Sequence, residues 1–252
     1  MRSLWVLLRT APAFLLLIGC AATRPIQDRE MAATHYDLGL AYLNTANFRM
    51  AIPELTKAVE MVPSDPVYHN ALGIALMADR RLDEAIKAFE EAVRADARFS
   101  EAKNNLASVY MLKGNPEKAR TILLEVLKDP FYPTPEYAYF NLAKIFEQQG
   151  KLDQAIREYR RALDIQPDYV EAHNNLGILY LREGKTNLAI REFTKATHLS
   201  PKRAIYHRNL GIAYFQAGKQ KEARRAFERV LAMEPDSPSA EDARKMLERL
   251  ER

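Results

Sequence analysis

The chain has 252 residues, 48% of them hydrophobic and 28% charged, with a formal net charge of +4. That balance fits a folded body and excludes a disordered chain. A single cysteine excludes an internal disulfide framework and a Cys-cluster metal site, and so small a basic excess does not by itself imply nucleic acid.

The first segment, MRSLWVLLRTAPAFLLLIGC, places Arg2 and Arg9 ahead of a short apolar run from Ala11 to Ile18. This is the layout of a secretory signal. The run is about half of the ~20 apolar residues that a membrane-spanning helix needs. Its tail, Leu17-Ile18-Gly19-Cys20, resembles the bacterial lipobox, and the only cysteine of the chain stands where that motif uses one. The resemblance implies removal of residues 1–19 and acylation of Cys20, with Ala21 favouring the outer membrane. Loss of Arg2 and Arg9 takes the charge from +4 to +2. Residues 20–31 then read as the lipidated cysteine and a short polar tether.

From Ala32 one pattern recurs six times, starting at Ala32, Pro66, Ser100, Glu136, Val170 and Ala204, at spacings of 34, 34, 36, 34 and 34 residues. The seventh place is always leucine, from Leu38 to Leu210, and the eighth is Gly39, Gly73, Ala107, Ala143, Gly177 or Gly211. The eleventh is large, the twentieth always alanine, and the twenty-fourth is Leu55, Phe89, Leu123, Tyr159, Phe193 or Phe227. Small residues at the eighth and twentieth places let two helix backbones approach, and the large ones fill the space beside them. Gly114, Gly150, Gly184 and Gly218 occupy the fifteenth place, suited to the turn between the helices.

The pattern resembles the tetratricopeptide repeat, a 34-residue helix–turn–helix unit. The resemblance implies an all-α fold, a right-handed superhelix (α-solenoid) of six repeats, 32–65, 66–99, 100–133, 136–169, 170–203 and 204–237. Residues 238–252, with Arg244 and Lys245 in place of Leu-Gly, read as a capping helix. Pro53 falls inside the second helix of the first repeat, where it removes one hydrogen bond and is expected to bend it.

No phosphate-binding loop, dinucleotide fingerprint, HExxH, CxxC or GxSxG motif is present, and no catalytic, cofactor or metal residues are assigned. His35, His69, His173 and His207 all occupy the fourth place of a repeat, where a packing role competes with a metal reading. The last repeat carries eight basic residues between Pro201 and Met233 against Glu222 and Glu228. This is either a solvated face or a docking surface for acidic headgroups or an acidic partner.

In tetratricopeptide arrays, places 2, 5, 6, 9, 12 and 13 of the first helix line the concave side. Here they include Asn70, Asn104, Asn105, Asn141, Asn174, Asn175 and Asn209, beside Tyr36, Leu40, Ile74, Met77, Ile178 and Ile212. A row of side-chain amides either pairs with the backbone of an extended peptide or bonds neighbouring helices to one another. The one break in phase is the proline-rich segment 129–135. There Phe131 and Tyr132 either cover the seam between repeats or anchor a partner.

A lipobox, six repeats and Tyr132-Pro133 within that insertion resemble the type IV pilus pilotins, lipoproteins of the PilF, PilW and Tgl type. That resemblance implies a non-enzymatic outer-membrane lipoprotein that helps a secretin localise and assemble. The alternative is a general envelope adaptor recruiting cell-wall enzymes or an export machine. In both, the partner is a protein or peptide, the membrane is reached through Cys20, and no nucleic acid is involved.

Overall fold

A computed structural model describes residues 18–251, with side chains from Ile26 onward. The expected signal segment therefore lies almost wholly outside the described residues, as does the side chain of Cys20. The described residues form thirteen α-helices and no strands, in two compact units that divide between Lys113 and Gly114.

The first unit contains α1 (Ile18–Asn44), α2 (Phe48–Met61), α3 (Pro66–Ala78), α4 (Leu82–Ala95) and α5 (Ser100–Leu112). The second contains α6 (Pro116–Val126), α7 (Pro135–Gln148), α8 (Leu152–Ile165), α9 (Val170–Arg182), α10 (Thr186–Leu199), α11 (Ala204–Gln216), α12 (Gln220–Met233) and α13 (Pro238–Glu251). Each repeat supplies an inner helix A (α1, α3, α5, α7, α9, α11) and an outer helix B (α2, α4, α6, α8, α10, α12).

The unit boundary falls in the turn of the third repeat, which the periodic pattern alone does not mark. Residues 20–31, read above as the lipidated cysteine and tether, are helical and run without a break into the first helix A. Ala, Gln, Arg, Glu and Met in this stretch are good helix formers. Pro53 leaves α2 uninterrupted, with its ring exposed.

The repeat residues do what their sizes dictate. A Cβ added to Gly39 would lie 2.6 Å from Leu55, and one on Gly73, Gly177 or Gly211 would lie 2.6–2.7 Å from the Phe89, Phe193 or Phe227 ring. Only glycine, or alanine with some relaxation, permits that approach of helix A to the twenty-fourth-place side chain. At the fifteenth place φ is +71° to +75° at the four glycines. Ala46 and Arg80 adopt the same left-handed turn at φ 54° and 65°. The residue after the turn then donates back to the helix, as in Lys185 N–H to Tyr180 C=O at 2.8 Å.

In the second unit the core runs through Tyr159, Leu176, Leu179, Tyr180 and Phe193, all essentially buried. A further cluster around Phe227 and Val230 continues it to Ala240 and Ala243 of α13. Successive A helices (α9 with α11, α11 with α13) approach more closely than successive B helices do. The B helices thus stand apart on the outside, with clefts between them.

Candidate functional site

Along the A helices of the first unit, Tyr36, Leu40, Ile74 and Met77 are half-buried, and Val67 is 42% exposed. The Tyr36 and Tyr68 rings stack at 5.1 Å. In the second unit, Ile178 and Ile212 are likewise half-buried, and Tyr137 and Ile205 are exposed. Tyr137 meets Tyr169 edge-on at 5.6 Å, and Phe140 packs on Tyr169 at 4.9 Å and on Tyr159 at 5.5 Å. Each unit therefore presents an apolar and aromatic row along its A helices.

Val67, Tyr137 and Ile205 all occupy the second place, and reading the amides and the ninth-place residues alone passes over them. The signal was present: the second place carries Val67, Glu101, Tyr137, Glu171 and Ile205 in turn, a large apolar side chain in every other repeat.

The asparagines are largely engaged with one another. Asn105 Nδ2 donates to Asn70 Oδ1 at 3.0 Å, and Asn209 Nδ2 donates to Asn174 Oδ1 at 2.8 Å. Both bonds run from the sixth place of one repeat to the fifth place of the repeat before it. Asn70 in turn donates to Glu101 Oε1 at 3.4 Å.

In the second unit the bonds join into a relay. Arg208 binds Asp242 and donates to Asn209 Oδ1 at 3.0 Å. Beyond the Asn209–Asn174 bond, Asn174 donates to Asn175 at 3.2 Å, Asn175 to Tyr159 OH at 3.1 Å, and Tyr159 OH to Glu147 at 3.3 Å. Burial, reinforced by the Glu147 charge, holds the Tyr159 hydroxyl well above the ordinary tyrosine range, so it stays a neutral donor. Asn104 and Asn141 are buried on the same row. The amides therefore fasten successive repeats together, and the apolar side chains beside them are the more accessible part of the surface.

Phe131 and Tyr132 part company. Asp129 Oδ1 accepts from the Phe131 N–H at 2.9 Å, and the turn leaves the Phe131 side chain 89% exposed while Tyr132 is buried.

The fourth-place histidines are structural. Nε2 of His69, His173 and His207 lies 2.8–2.9 Å from the carbonyl of Pro63, Pro167 and Pro201, the proline that closes the preceding repeat. The His173 Nδ1 also meets Glu192 Oε2 at 2.8 Å, with both side chains buried. His35 makes the same kind of contact with Glu54 at 2.5 Å. Burial alone would raise the Glu192 carboxyl. His173, Arg191 and Lys195 outweigh it and bring the pKa down to about 2.

Among the described residues no His, Cys, Asp and Glu side chains converge as metal ligands would. No helix among them is long and apolar enough to cross a membrane.

A family model described as tetratricopeptide repeat matches residues 36–98, 70–134 and 174–240, and a TPR repeat model matches 143–184. The type IV pilus assembly protein PilF of Pseudomonas aeruginosa is 30% identical over 165 residues, and the chain is homologous to it. That alignment takes in 62% of this chain and 66% of PilF, just under two thirds of its length.

Two solved structures share the fold. The crystal structure of PilW, described as a widely conserved type IV pilus biogenesis factor, superposes with a TM-score of 0.73 at 20% identity, over 83% of this chain and 96% of that one. A Pseudomonas aeruginosa PilF structure superposes with a TM-score of 0.73 at 20% identity, over 87% and 99%.

Proposed function

Because the chain belongs to the tetratricopeptide-repeat family, whose members bind protein or peptide partners, we propose that it is a non-catalytic adaptor of type IV pilus biogenesis. It is held by acylated Cys20 on the periplasmic face of the outer membrane. There it takes a segment of a secretin, or of another pilus subunit, along the apolar rows of its A helices. The observation that carries this reading is the homology to PilF.

Two further features support it. Leu17-Ile18-Gly19-Cys20 resembles a lipobox. The exposed second-place residues Val67, Tyr137 and Ile205 offer apolar side chains beside amides that are already bonded. Such exposed apolar rows mark partner sites. Two or more acyl chains give stable anchoring where one does not, and confinement to the membrane raises the effective concentration of a partner inserted there.

Deleting the gene in its host is expected to leave secretin as monomers and to abolish pili. Cys20→Ser is expected to abolish lipid labelling and reproduce much of that defect. Normal secretin rings in the deletion strain would refute the secretin reading. If envelope crosslinking then captured a cell-wall enzyme or an export component, the general adaptor would take its place.

A further inference from the structure

A second surface lies on the opposite side of the second unit. On its B helices, place 22 is Arg157, Arg191 and Arg225, and place 26 is Arg161, Lys195 and Arg229, each set at a strict 34-residue spacing. All six are exposed. Places 22 and 26 are four residues apart, so each pair shares one face of its helix. Across α8, α10 and α12 they form two parallel cationic rows. The first three repeats carry Pro53, Lys87 and Thr121, then Lys57, Glu91 and Glu125, at the same places, so the rows belong to the second unit alone.

The α10 and α12 members of the rows border two clefts with matching floors, while Arg157 and Arg161 line neither. Between α8 and α10 a cleft of about 330 Å³ is floored by His173, Leu176 and Tyr180 and walled by Arg191 and Lys195. Between α10 and α12 a cleft of about 290 Å³ is floored by His207, Leu210 and Tyr214 and walled by Arg225 and Arg229. Every one of these residues is displaced by 34, so the second cleft is the first repeated. Apolar material continues at the ends of the helices, where Ile165 and Leu199 are 45% and 40% exposed.

Internal pairing accounts for only part of the charge. Glu158 binds Arg161 at 3.0 Å, and Glu192 binds Arg191 at 2.9 Å and Lys195 at 3.6 Å. Arg157, Arg225 and Arg229 have no ion pair among the described residues. Like-charged arginines brought into line without ion pairs are an electrostatic cost in the free protein, which a complementary anion removes.

We infer that these rows and clefts are a docking site for an acidic segment of a protein partner. Its carboxylates sit between the place-22 and place-26 cations, and its apolar side chains lie over the clefts. The geometry favours a peptide over a membrane for two reasons. The floor of histidine, leucine and tyrosine lies beneath the cations rather than projecting beyond them, so a bilayer plane cannot reach it. The clefts also carry Asp164 and Glu222 on their walls, which repel a uniformly anionic plane but which a chain of discrete carboxylates avoids. Arg presents a planar fork suited to carboxylate recognition.

The test uses the full chain and a fluorescein-labelled synthetic peptide of alternating glutamate and leucine, read by fluorescence anisotropy. Arg157→Gln, Arg225→Gln and Arg229→Gln are combined, because none strands a buried partner. Arg49→Gln with Lys87→Gln in the first unit is the control, and far-UV circular dichroism checks that each variant is folded. The expected result is binding that weakens with added salt, falls at least about tenfold in the triple variant, stays unchanged in the control, and is lost when glutamine replaces glutamate in the peptide. Equal affinity in the triple variant, salt-insensitive binding, or binding to phosphatidylglycerol vesicles with none to the peptide would each overturn the proposal.

Discussion

At the scale of single residues, the small places of the repeat are the most sharply constrained. Gly177 faces the Phe193 ring, and an added Cβ would come within 2.7 Å of it. Phe193 is fully buried, so the ring has little room to yield. Gly177→Ala is expected to destabilise the second unit by about 1–3 kcal/mol, the usual cost of overpacking a filled core. Urea unfolding of wild type and variant checks this; an unchanged midpoint would mean that the ring moves freely.

Glu192 gives a pH dependence of definite sign. Its folded pKa of about 2 lies below the ordinary value of 4.5. A depressed carboxyl contributes stability above its unfolded pKa and loses it as pH falls through the folded one. The contribution, about 3 kcal/mol from a shift of this size, is therefore complete above about pH 5 and fades toward about pH 2. Glu192→Gln is expected to be less stable than wild type at neutral pH and to converge with it in acid. Parallel stability curves for the two proteins across that window would contradict the assignment.

The elements show how far the sequence can be read. Leucine at place 7, alanine at place 20 and a large residue at place 24 made the helix pairs legible, because one packing problem is solved six times. The histidines also yielded once the repeat frame was known: place 4 sits against the carbonyl of the preceding proline. The asparagines did not yield, because a polar side chain on a groove-facing place has the same sequence signal whether it bonds a ligand or the next helix.

The folding of the array brings Asn209 to Asn174 and extends the bonds to Arg208 and Glu147. Asn209→Ala removes a donor and leaves the buried Asn174 carbonyl oxygen without that bond. It is expected to cost about 1–3 kcal/mol. A double-mutant cycle with Asn174→Ala should return a clear coupling; additive losses would show that the two amides act independently. Phe131 and Tyr132 were beyond sequence reading for a related reason. Two adjacent aromatics in a proline-rich turn carry no signal for which faces out, and the Asp129 side-chain bond settles it.

At the scale of the whole molecule, the two faces of the second unit differ in kind. The A-helix side is apolar and aromatic, built around Tyr137, Phe140, Ile178 and Ile205. The B-helix side is cationic and cleft. On the two proposals together, one chain would hold an apolar segment and an acidic one at once. The homology to PilF fits type IV pilus biogenesis for the chain as a whole. The 34-residue recurrence of Arg157, Arg191 and Arg225 was present in the sequence from the start. It became meaningful only when the B helices proved to stand apart with clefts between them.

The most direct measurement is site-specific photocrosslinking in the native envelope, with a photoreactive residue placed in turn at Tyr137, Ile205 and, as a comparison away from both surfaces, the exposed Lys87 of α4. The expected result is an adduct with secretin or another pilus subunit from the first two positions and none from Lys87. Adducts from all three positions alike, or none from Tyr137 and Ile205 in piliated cells, would contradict the A-helix face as the working surface.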